Sequence, residues 1–195
     1  MGCLDNSNCA CSFEKIYKLA SVKFKSSIIV LLIAFVFLLL LIYYFLPYSP
    51  LPAAVVIDKI VVLKSRHRLL AYSGEKLIRS FTISLGRNSE GTKEYEGDYK
   101  TPEGLYTIND KNPNSQFQKS LGISYPNKQD LINASRTGKP AGGDIKIHGL
   151  RNDQGYFGRF QRWRDWTSGC IALTNEEIDD LYSHTPVGTP IEIKR

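Results

Sequence analysis

A mainly β domain, a sandwich or barrel with one short helix, preceded by a single membrane-spanning helix, is the fold class that three features of the sequence predict. Runs of β-branched or alternating residues recur between turn signals, a single helix capping box occurs late in the chain, and one uninterrupted apolar run stands near the start.

The apolar run, Ile28 to Leu46 (IIVLLIAFVFLLLLIYYFL), holds no charge and no proline and is long enough to cross a bilayer as one helix. Signal peptides have shorter apolar regions, and no good small-x-small cleavage site closes this one, so an uncleaved anchor is expected. Lys15, Lys18, Lys23 and Lys25 precede the run and Tyr43, Tyr44 and Tyr48 lie at its far end. The positive-inside rule then puts the N-terminus in the cytoplasm and the rest of the chain in the periplasm or outside the cell. The expected layout is a cytoplasmic arm (1–27), the anchor in the cytoplasmic membrane (28–46), a stiff proline-bearing linker (47–53) and one folded domain (54–195). Cys3, Cys9 and Cys11 fall in the arm as ordinary reduced thiols, since Asn6 breaks the myristoylation pattern, and the exported part holds only Cys170.

Within the domain, VVIDKIVVLK (55–64) and Arg68 to Tyr72 read as two strands joined by a basic turn. LIRSFTISL (77–85) alternates as a half-buried strand should, and RNSEGTKEYEGDYK (87–100) reads as a mobile surface loop able to close over a substrate. LYTI, Ile145 to Ile147, Cys170 to Leu173 and Pro190 to Ile193 are further strands, while the polar region between Asn109 and Asp144, with one apolar segment at Leu121 to Tyr125, gives no order. Thr174 followed by Glu177 caps a helix from Asn175 to about Ser183.

The net charge of +6 suits an anionic polymer or lipid surface. No RNP, zinc-finger or helix-turn-helix signature accompanies it, so nucleic acid is not an expected partner.

An exported thiol without a disulfide partner needs a reason, and Cys170 follows Ser168 and Gly169. A catalytic cysteine attacks as thiolate and needs a base together with donors for the oxyanion it creates; the amides of Gly169 and Cys170 and the imidazole of His148 are candidates. His148 ends a strand beside Gly149, where a backbone carbonyl could orient the ring. By residue type alone, a buried small hydrophobe and a hydrogen-bonded turn histidine remain the commoner roles. The domain's Cys170, His67, His148 and His184 lack a compact ligand spacing, so neither a metal nor any other cofactor is expected. His67, in a basic turn, and His184, near a helix C-terminus, read as structural or exposed.

IKIHG (145–149) and TSGCIAL (167–173) together resemble the His-Gly and Ser-x-Gly-Cys signature of the L,D-transpeptidase (YkuD-like) catalytic domain. GDYKTPEGLYTI (97–108) and VGTPIEI (187–193) resemble the same domain, extending the likeness over residues 55–195. Many members carry Arg where this chain has Ala172. The Gly-Cys-Ile-Ala version resembles the branch that includes hydrolases detaching lipoprotein from peptidoglycan.

The resemblance implies an L,D-transpeptidase-type β-fold and a cysteine acyltransferase working on peptidoglycan stem peptides. Cys170 would be the nucleophile, His148 the proton donor and acceptor, and Gly149, Ser168 and Gly169 supporting residues. An amine would resolve the thioester into a cross-link or a lipoprotein attachment, and water would give carboxypeptidase, endopeptidase or amidase activity; a murein lipoprotein is thus a candidate partner. A catalytically inactive wall-binding module is the reading from another class. Tyr156, Phe157, Phe160, Trp163 and Trp166, interleaved with Arg151, Arg159, Arg162 and Arg164, could form an aromatic and cationic wall for peptide carboxylates, with Arg151, Trp163, Arg164 and Trp166 the residues singled out.

Overall fold

The computed structural model describes residues 27–195, which divide into two units after Pro47. Helix α1 (Ser27–Phe45) has a mean hydropathy of 3.2, as a membrane span or a signal segment would. The lysines and cysteines of the N-terminal arm lie outside the described residues.

The second unit begins at Tyr48, ahead of the Ala54 start expected. Its proline-bearing leader packs on the domain: Leu51 is buried, and its amide donates to both oxygens of Asp180 at 3.1 Å. The Tyr48 hydroxyl donates to Asp180 as well. A segment that reads as a spacer by composition is thereby fixed by one buried carboxylate.

The sheet comprises β1 (Lys59–Leu63), β2 (Arg68–Ser73), β3 (Lys76–Thr82), β4 (Gly104–Ser115), β5 (Gln118–Ile123), β6 (Lys146–His148), β7 (Ile171–Ala172) and β8 (Pro190–Lys194). Their order is β3-β2-β1-β8-β4-β5-β6-β7, with β1–β8 and β6–β7 parallel and the other neighbours antiparallel. The segment after β3 reaches the other end of the sheet: Ser84 and Ala172 exchange both backbone hydrogen bonds, at 3.0 and 2.8 Å, and Thr167 bonds Leu85 and Arg87. The sheet therefore curls on itself, so the outer side of β7 is paired with the segment that continues β3 rather than left as an open edge. Phe81, Ile83, Leu85, Ile108, Leu121, Ile147 and Ile171 fill its inside.

Helix α3 (Asn175–His184) forms as expected, with Thr174 and Glu177 bonded reciprocally. Its buried Ile178 and Leu181 join the core. Helix α2 (Lys128–Thr137) arises in the region that gave no order in the sequence. Asn127 and Asp130 form its capping box, a version made from an amide and an aspartate, and Gly138 ends it at φ 69°. Its ends are well signalled but its mostly polar face is not.

The loop expected to be mobile is internally bonded. Asp98 accepts from Lys93 Nζ at 2.7 Å and from the amides of Glu94, Tyr95 and Lys100. Burial pushes the Asp98 carboxyl up, but Lys93 and those amides outweigh it and hold the group below its ordinary value. Lys64, also buried, bonds the carbonyls of Gly91 and Thr101 and the Glu103 carboxylate, tying both ends of the loop to the turn after β1. Asp98→Ala strands a buried ammonium and three amides, so chemical denaturation of the detergent-solubilised chain should show a loss of about 3–5 kcal/mol. A loss near zero would mean that the loop is held by other contacts.

Candidate active site

His148 and Cys170 arrive on neighbouring strands. In the parallel β6–β7 pair His148 stands opposite Ala172, and the period of two puts Lys146, His148 and the residue preceding β7 by one, Cys170, toward the same side. Both side chains line one cleft of about 980 Å³.

The imidazole is buried, and Nδ1 lies 2.7 Å from the Gly149 carbonyl. A carbonyl can only accept, so Nδ1 carries the proton and Nε2 is left with its lone pair. Burial lowers the His148 pKa to about 4; the Gly149 carbonyl opposes this and the nearby Lys146 ammonium adds to it. At neutral pH the ring is an uncharged base. Phe117 lies over it at 4.5 Å between centroids and Trp166 presents an edge at 5.8 Å. The Trp166 indole is itself held by Gln161 Oε1 at 2.9 Å.

Burial also pushes the Cys170 thiol up, with the Asp144 carboxylate adding to the rise, while the Lys146 amide and the Lys146 and Lys93 ammoniums pull it down. Sγ lies 3.6 Å from the Asp144 carbonyl, and Lys146 Nζ pairs with the Asp144 carboxylate at 2.8 Å. The cleft thus holds a thiol and a neutral imidazole rather than a preformed ion pair.

The turn before Cys170 is tightly built. Gly169 has φ 133°, and a Cβ there would lie 2.7 Å from the Lys100 carbonyl. Its amide donates to Thr167 Oγ1 at 3.1 Å, and that hydroxyl donates to the Cys170 carbonyl at 2.7 Å. Of the two amides expected to face an oxyanion, that of Gly169 is therefore engaged inside the turn.

Arg151, Arg164, Trp166 and Ser168 line the cleft, whereas Trp163 is 66% exposed and lies outside it, against Phe160. Arg162 turns away to pair with Glu177 at 2.6 Å. The aromatic and cationic wall read from the sequence is thus divided, and the 3-10 segment 155–163 that carries part of it is itself broken by a kink at Gly158. His67 pairs with Asp165 at 3.0 Å and is partly exposed; His184 ends α3 and bonds the Asp180 carbonyl. Among the described residues no cluster of His, Cys, Asp or Glu could hold a metal ion.

Lys146, Asp144, Arg87 and Phe117 also line the cleft and were not singled out by the sequence. Lys146 could have been found from the alternation in IKIH. Phe117 carries no such signal, since its position depends on the β4–β5 turn.

The family model for the L,D-transpeptidase catalytic domain (YkuD) matches residues 57–193. The chain belongs to that family. "Putative L,D-transpeptidase YafK" of Escherichia coli K12 is 31% identical over 110 residues, covering 55% of this chain and 37% of that protein. The helical cell shape determining protein Pgp2 of Campylobacter jejuni is 27% identical with a TM-score of 0.52, over 71% of this chain and 48% of that one. The chain thus matches less than half the length of either relative. In this L,D-transpeptidase domain Ala172, where many members carry Arg, is fully buried between His148 and Ser84.

Because the folded imidazole titrates below its ordinary 6.5, the folded state binds fewer protons than the unfolded chain between pH 6.5 and 4. The contribution of this buried neutral ring is full above pH 6.5 and is lost as pH falls toward 4, by about 3 kcal/mol. Denaturation followed against pH should show this loss in the native chain and not in His148→Gln.

Proposed function

We propose that this L,D-transpeptidase-family domain is a cysteine acyltransferase acting on peptidoglycan stem peptides through a thioester at Cys170. The observation that carries the reading is a neutral imidazole, its Nδ1 proton held on the Gly149 carbonyl, sharing a cleft with a thiol beside an ammonium. Attack joins Sγ to the carbonyl carbon of the stem, and the thiol proton passes to Nε2 of His148. The C–N bond then breaks, and the same proton leaves with the departing amine. The Cys170 amide is the oxyanion donor of this scheme, since the Gly169 amide is bonded to Thr167.

In the second step an amine or a water attacks the thioester, giving its proton to His148 and regenerating the thiol. An amine yields a cross-link or an attached lipoprotein, and water yields a trimmed or released peptide. Arg87, Arg151, Arg164 and Lys146 line the cleft opposite a single carboxylate, that of Asp144, which suits a substrate bearing several carboxylates. Trp166 and Phe117, stacked 6.3 Å apart, supply its apolar wall. With α1 as a membrane anchor, the domain would face the wall from the outer side of the cytoplasmic membrane, and a cell-shape role like that in Pgp2's description would follow.

Incubating the chain with tetrapeptide-bearing muropeptides and weighing the products separates the outcomes: dimers mean transfer, loss of the terminal residue means hydrolysis. Cys170→Ala should reduce turnover by at least about a thousandfold with an unchanged melting temperature. Turnover retained in Cys170→Ala would rule the mechanism out, and no turnover or thiol acylation in the native chain would favour a wall-binding module. Trp166→Ala should raise KM and also lower kcat, because the ring touches both cleft and imidazole.

A further inference from the structure

His148 bonds a carbonyl rather than a carboxylate, and that carbonyl belongs to a peptide group gripped from its other side. The Gly149 oxygen accepts from His148 Nδ1 at 2.7 Å, while the amide of the same peptide, Leu150 N–H, donates to Asn175 Oδ1 at 2.9 Å. Asn175 opens α3, directly after the Thr174 cap, so the rigid first turn of a helix fixes where its side chain stands. Both neighbouring glycines are spaces cleared for it. A Cβ at Gly149 would lie 2.8 Å from Asn175 Oδ1, and one at Gly155 would lie 2.9 Å from Nδ2. The Gly149 amide is held separately by the Phe117 carbonyl at 3.0 Å.

We infer that Asn175 is a positioning residue for the Cys170–His148 reaction, acting on the imidazole through the Gly149–Leu150 peptide. This rests on the acyl-transfer reading above. A peptide group polarised at its N–H becomes a better acceptor at its oxygen, so the contact at Asn175 strengthens the bond that fixes the tautomer and plane of His148. Gly149 and Leu150 thereby occupy the place that a third side chain fills in other nucleophile–base constellations. The bridge connects the start of α3, five residues beyond the thiol, to the imidazole, so the nucleophile and its base are set by one short stretch of chain.

The test is the rate at which iodoacetamide alkylates Cys170 in the full detergent-solubilised chain, followed across pH by mass spectrometry of the Cys170 peptide. Asn175→Ala should slow alkylation at neutral pH by about tenfold or more. It should also move the acid limb of the profile to lower pH, because the carbonyl bond that raises imidazole basicity is loosened. Lys146, the charged group acting on the ring, is unchanged in that variant. Asn175→Asp keeps an acceptor and should return the rate to within about threefold. Asn127→Ala, which removes the cap of α2 away from the cleft, controls for stability: it should lower the melting temperature without moving the pH profile. If Asn175→Ala only lowers the melting temperature and its pH profile overlays that of Asn127→Ala, the positioning role is wrong. If alkylation of the native chain does not change with His148→Gln, the Cys–His reading itself fails instead.

Discussion

The parallel pairing of two very short strands, β6 and β7, is the constraint on which the site depends. Two or three residues cannot hold a strand by themselves. Here β7 is held from both sides, by His148 of β6 through the Leu173 amide and by Ser84 through two further bonds. The curl of the sheet that brings Ser84 to Ala172 thus also sets where Cys170 stands relative to His148. Thr167, bonded to Leu85, to Arg87 and to both ends of its own turn, extends that hold to the residues just before Cys170.

Electrostatics follows from this packing. Enclosing His148 between Phe117, Trp166 and the sheet excludes water and disfavours the charged ring. Lys146 acts in two directions, depressing the imidazole further while favouring the thiolate of Cys170. Asp144 restrains Lys146 at 2.8 Å and keeps the ammonium beside the thiol.

The loop 87–100 has a role different from that of a lid. Its buried Lys93–Asp98 pair at 2.7 Å and the Lys64 anchor make it a wall of the domain. The close approach of the Lys100 and Tyr99 carbonyls to Gly169 and Gly86 shows why no side chain is tolerated at either glycine. Charge and glycine content read as mobility in one dimension become internal ion pairing and backbone contact in three.

Local signals were legible in the sequence: the apolar span of α1, the alternation of β1 to β3, the Thr174–Glu177 cap, and the motif residues His148, Gly149, Gly169 and Cys170. Each depends on neighbours within a few positions, or on a resemblance carried by such short stretches. The tertiary structure alone decided which of those residues meet and in what state. Lys146 joined the site through strand register, Phe117 through the β4–β5 turn and Asp144 through the segment leading into β6, while Arg162 pairs with Glu177 and Trp163 packs on Phe160 outside the cleft. Helix α2 was hidden because its large apolar residues, Leu131 and Ile132, face outward, so its burial comes from Asp130 and Ala134 rather than from an apolar stripe. The neutral imidazole is likewise a product of enclosure: desolvation is a property of what surrounds a group, and contacts distant in sequence supply it.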